Sequence, residues 1–151
     1  MSQVKSSTPS LWAQGLGYGG LIPFVGLALA IGLWPMYQAK AAGALLGYGA
    51  TIASFLGAIH WGLAMRDPRG QSRSLLAWGV IPSLVAWAAL MLPASSGLLL
   101  IALLLWACLA VDRVVYTRCG LRAWLPMRFL LTAVASLSCI ASAVALMRAN
   151  P

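Results

Sequence analysis

Glutamate is missing from this sequence, aspartate occurs twice and histidine once. That scarcity excludes most acid–base and metal chemistry. A hydrolase or kinase constellation needs several carboxylates, or a histidine with an orienting partner. Zinc draws several ligands from cysteine, histidine and carboxylates, and a haem held by two histidines within the chain is excluded by the single His60. We therefore expect no cofactor, no metal and no catalytic residues. Cys108, Cys119 and Cys139 form no Cys-x-x-Cys pair and read as small apolar packing residues. Charged side chains make up 8% of the chain against 62% hydrophobic, whereas an average soluble domain carries about a quarter charged. Such a chain has too little polar surface to cover itself in water.

What is present is hydrocarbon in long runs, with basic residues between them. Lysine and arginine number 10 against 2 acids, for a net charge of +8. Nucleic-acid binding would need a solvated basic face. Here the cations fall in short gaps between apolar runs, the membrane pattern, so the expected partner is a lipid bilayer and not nucleic acid. Another membrane protein, or a lipid or quinone ligand, is a further candidate.

A spanning helix needs about 20 mostly apolar residues. Five stretches qualify, 11–34, 41–65, 74–92, 97–116 and 124–147, separated by Pro35, by Asp67-Pro68-Arg69-Gly70, and by turn-forming stretches at 93–97 and 118–122. The expectation is an all-α membrane bundle: a polar tail over residues 1–10, then one five-helix domain over 11–151. A signal-peptide core runs about 7–15 apolar residues. The first run exceeds that, so it reads as a retained helix. With the N-terminus in the cytoplasm, Lys5, Arg66, Arg69, Arg73, Arg113, Arg118, Arg122 and Arg128 lie inside or at the inner interface, against Lys40 and Arg148 outside. The cation bias sets orientation, giving a cytoplasmic N-terminus and an outside C-terminus in a bacterial inner membrane.

Gly15-Leu16-Gly17-Tyr18-Gly19-Gly20 contains a formal G-x-G-x-x-G. A dinucleotide site needs that turn between a strand and a helix, and no strand precedes it here. Gly15 and Gly19 instead read as a small pair admitting another helix. In the second helix Gly43, Gly47, Ala50, Ser54 and Gly57 recur every three or four residues and form the expected helix-packing face, with Leu45, Ile52, Leu56, Ile59 and Leu63 toward lipid. That small row ends between His60 and Trp61. Pro23 and Pro82 interrupt two spans as kinks or, with Trp87, as walls of a pocket.

An ionisable residue inside a span is a site candidate by default. Asp112 and Arg128 each lie eight residues from Gly120, so an antiparallel hairpin turning there sets them level. His60, Trp61, Asp112 and Arg128 thus form a candidate polar cluster in the inner leaflet. It reads either as a structural lock or as a pocket for a headgroup, a quinone ring or a proton, since histidine as a residue type titrates near neutral pH.

The string Ser54-Phe55-Leu56-Gly57-Ala58-Ile59-His60-Trp61-Gly62, with Ile22-Pro23-Phe24 before it and Ile81-Pro82-Ser83-Leu84, Trp87, Asp112-Arg113, Arg128 and Thr132 after it, resembles a particular family. That family of small multipass membrane proteins carries a domain-of-unknown-function label and includes the animal transmembrane protein 69. The resemblance implies five membrane helices and adds no activity to the reading. The Trp-x-Pro-Pro-x-Trp signature of tryptophan-rich sensory proteins, also five-helix chains, is absent. The functional expectation is a non-enzymatic binding or assembly factor acting through its helix faces or an inner-leaflet pocket. The alternatives are a small transporter or proton-linked carrier using His60, Asp112 and Arg128, and a membrane enzyme acting on a lipid or quinone.

Overall fold

In hydrocarbon a chain must satisfy its backbone polar groups internally, and a helix does so within one segment. The computed structural model describes residues 8–66 and 73–149. The expected turn Asp67-Pro68-Arg69-Gly70, Lys5 and most of the polar tail lie outside them. Among the described residues the fold has no strand. It comprises α1 (Leu11–Gly19), α2 (Leu21–Leu33), α3 (Gln38–Met65), α4 (Arg73–Leu90), α5 (Ala94–Arg118) and α6 (Leu125–Ala149), with 3-10 turns at Pro35–Tyr37 and Arg122–Trp124. Five stretches are long and apolar enough to cross a membrane: Leu11–Leu33, Pro35–Met65, Arg73–Leu90, Ala94–Arg118 and Arg122–Ala149.

Local chemistry sets the ends. Ser10 caps α1, its hydroxyl accepting from the Ala13 N–H at 3.2 Å, the usual N-cap arrangement. The first span breaks at Gly20 because proline has no N–H and its ring clashes with the carbonyl four residues back. For Pro23 that carbonyl belongs to Gly19, the last residue of α1, and the proline falls in the first turn of α2, where it is tolerated. Pro93 caps α5, and its carbonyl accepts the Gly97 N–H at 2.9 Å. The fourth span therefore starts at Ala94, earlier than the expected 97.

Helix α3 is the central element, packing on α2, α4, α5 and α6. Phe24, Ile31, Leu45, Leu98, Ile101, Leu105 and Cys139 fill the space around it. Leu103, Phe129 and Leu137 point outward, as lipid-facing side chains do. The expected packing face of α3 needs correction. Gly57, Ala50 and, in part, Ser54 do face protein, but Gly43 is exposed, and a Cβ on Gly43 or Gly47 would meet nothing within 4 Å. Leu45 and Leu56, assigned to lipid, are buried. Neighbours surround α3 over a broad arc, so large side chains are needed wherever the adjacent helix stands off. Glycine is required only where backbones touch: a Cβ on Gly57 would lie 2.5 Å from the Gly79 carbonyl oxygen of α4.

The same helix contacts place the other small and kink-forming residues. Gly15 and Gly19 face open space, whereas Gly17 between them lies under Met127 of α6. Pro82 is buried against Gly57 as part of the α3–α4 contact. Trp87, proposed as a pocket wall, is 63% exposed and lines no described cavity. Pro23 likewise lines no described cavity.

Candidate functional site

The α5–α6 hairpin is built around Gly120, whose φ of 73° is the left-handed conformation that favours glycine after a helix end. The Leu121 N–H closes the turn on the Tyr116 carbonyl at 2.7 Å, and the Cys119 N–H bonds Val115 at 2.9 Å. Six-to-one closure of this kind satisfies carbonyls that the helix end leaves free. It also fixes the register of the hairpin, which brings Asp112 and Arg128 together. The Arg128 Nε and Nη2 both donate to Asp112 Oδ2, at 2.9 and 2.7 Å. Asp112 is 1% exposed and Arg128 8%, so each removes the cost of the other's lone burial.

His60 reaches the same carboxylate from α3. It is fully buried, with its Nδ1 3.2 Å from the Leu56 carbonyl. Nε2 is the ring atom that faces Asp112. Nε2 lies 3.4 Å from Asp112 Oδ1, within ion-pair range, yet neither atom has an aligned hydrogen bond. The contact is thus looser than the arginine pair, and it becomes an ion pair only when the ring carries a second proton. Trp61 does not join the cluster. One position further along the helix it turns to α4, where its indole N–H donates to the Leu76 carbonyl at 2.9 Å and its ring covers Gly79.

Sequence reading missed Thr132 as part of this site. It lies one turn beyond Arg128 on the same face of α6, is 2% exposed, and its hydroxyl oxygen has no hydrogen-bond partner. The signal was available in the spacing of Arg128, Thr132, Ala135, Ser136 and Cys139, a row that is small or polar and buried throughout. Arg128 and Thr132 line a cavity of about 170 Å³ whose other walls are hydrocarbon, among them Leu21, Phe24, Ile52 and Leu105. A second chamber of about 450 Å³ meets it at Arg128 and extends toward Trp124 and Met127. Leu16 and Phe55 border both chambers and are themselves largely exposed on the lipid-facing surface. His60 borders neither chamber. No group of three or more metal-ligating side chains occurs among the described residues.

Five long apolar helices enclosing a desolvated ion cluster define a multi-pass helical membrane protein. The chain belongs to the family described as protein of unknown function DUF3429, which matches residues 9–144. It is also similar to Transmembrane protein 69 of Xenopus tropicalis, with 40% identity over 78 residues, 50% of this chain and 31% of that protein. The matched stretch thus covers about a third of the relative's own length. No solved structure matches.

Proposed function

We propose that this chain is a non-enzymatic binding protein of the membrane interior, which holds an amphiphile in the chambers beside Arg128. The observation that carries this reading is the Thr132 hydroxyl, buried and without a partner at the wall of an apolar cavity. A buried polar group left unpaired costs about 1–3 kcal/mol, and a ligand with an acceptor oxygen would recover that loss. Asp112 already balances the Arg128 charge through Nε and Nη2. The matching ligand head is therefore an uncharged carbonyl, as in an ester or a quinone, and not a free anion. An engineered apolar cavity of about 150 Å³ takes up benzene, so the inner chamber has room for a ring or a short acyl segment. The openings at Leu16 and Phe55 favour entry from lipid over entry from water. His60, Asp112 and Arg128 then serve chiefly as a lock. A carrier built on them has less support, because His60 is sealed and apart from both chambers. In this reading the arginine-rich end is cytoplasmic in a bacterial inner membrane, and a C-terminal tag should be reachable only from outside.

The test is mass spectrometry of apolar compounds that co-purify with the full chain in mild detergent. Thr132→Val keeps the shape and removes the hydroxyl. We expect it to lower the retained amphiphile roughly fivefold, the worth of about one hydrogen bond, without lowering the unfolding midpoint. Equal retention by the variant and the parent would overturn the reading, as would recovery of the parent with no stoichiometric amphiphile.

A further inference from the structure

We propose that the outer groove between α5 and α6, at the arginine-rich end, binds the headgroup of one anionic phospholipid. This groove is separate from the chambers at Arg128. Its cavity of about 430 Å³ is lined by Leu109, Arg113, Arg122, Leu125, Pro126 and Phe129. Arg113 and Arg122 are exposed, one from each side of the hairpin, and neither has an ion-pair partner among the described residues. The one described acid, Asp112, is already paired with Arg128. Two guanidiniums thus face the groove with nothing to balance them. Arginine's planar fork suits phosphate oxygens.

The spacing along each side of the hairpin makes the occupant a phospholipid and not a free phosphate. On α5, Leu109 and Trp106 lie four and seven residues from Arg113, toward the membrane centre. On the other side of the hairpin Arg122 opens the 3-10 turn that leads into α6, and Pro126 and Phe129 follow it by four and seven residues. At 1.5 Å per residue Trp106 sits about 10 Å deeper along α5 than Arg113. Trp106 and Phe129 meet there edge to face, with ring centroids 5.8 Å apart. The two sides of the hairpin therefore present the same sequence of surfaces: a cation at the interface, an apolar step, and an aromatic floor at acyl-chain depth. A phosphate on the arginines would place its glycerol and first methylenes over Leu109 and Pro126. Basic pockets between membrane helices recognise anionic headgroups in this way.

The experiment is native mass spectrometry of the full chain released from nanodiscs containing equal phosphatidylglycerol and phosphatidylcholine. The parent should retain one phosphatidylglycerol in preference to phosphatidylcholine. Arg113→Gln with Arg122→Gln should abolish that preference, a fall on the order of thirtyfold for two basic contacts. Arg66→Gln with Arg73→Gln removes two cations from the same end outside the groove, and should leave the preference intact. An equal loss in both double variants would mean a diffuse surface field and would overturn the proposal. So would an unchanged preference in the Arg113, Arg122 variant, or displacement of the lipid by millimolar inorganic phosphate. Thr132→Val should not alter this readout, so failure here is distinct from failure of the amphiphile chamber.

Discussion

The bundle contains two antiparallel helix pairs held by opposite means. Between α3 and α4 the contact is close and uncharged: Gly57 and Gly79 bring the two backbones together, Pro82 packs beside them, and Trp61 closes over the top. Between α5 and α6 the contact near the turn is polar, with Arg128 and Asp112 paired in a setting where neither could be left alone. The first kind sets a distance, because any Cβ pushes the helices apart. The second sets a register, because a shift of one residue would turn a charge into hydrocarbon. Packing and interhelical polar contacts are the two forces available where no water is expelled.

Breaking the polar pair should have the largest effect. Asp112→Ala strands a buried guanidinium and should destabilise the chain by about 3–5 kcal/mol, read as a shift in the unfolding midpoint in mild detergent. Asp112→Asn keeps an acceptor for Arg128 and should lose clearly less; equal losses would show that the pair is not what holds the hairpin. Gly57→Ala comes next, at about 1–3 kcal/mol for overpacking against backbone. Its counterpart Gly43→Ala occupies the same small-residue row but faces open space, and should change stability by under about 0.5 kcal/mol. If both substitutions cost the same, the close contact at Gly79 is wrong. His60→Leu should cost about 1 kcal/mol, the worth of one ordinary buried hydrogen bond, because its contact with Asp112 is long and poorly aligned. A loss as large as that of Asp112→Ala would make the histidine an equal partner in the lock. Thr132→Val removes a buried hydroxyl that has no partner, so it should not lower the unfolding midpoint while it reduces bound amphiphile.

Much of this is legible in the sequence. Residue types that hydrocarbon tolerates, in runs of spanning length, determine a five-helix membrane chain, because backbone in lipid has no other inexpensive form. The level placement of Asp112 and Arg128 was also readable, since a short turn at Gly120 fixes an antiparallel register by counting. The rows on α3 were not. Gly43 and Gly57 look alike in sequence, and whether a glycine packs depends on where a neighbouring helix crosses, which is a property of two helices and not of one. Thr132 figures in the family resemblance but not in the candidate site, because a threonine in a membrane helix is unremarkable until its hydroxyl proves to have no partner.

The sequence by itself thus determined the class of protein, the number of spans and the pairing of its two buried charges. Only the tertiary structure decided that His60 is sealed, that Trp61 packs on α4, and that Arg128 stands at the junction of two apolar chambers. The physical reason is one of range. Hydropathy, helix ends and turn counting act within a segment or across one turn, whereas a cavity exists only where several helices fail to meet.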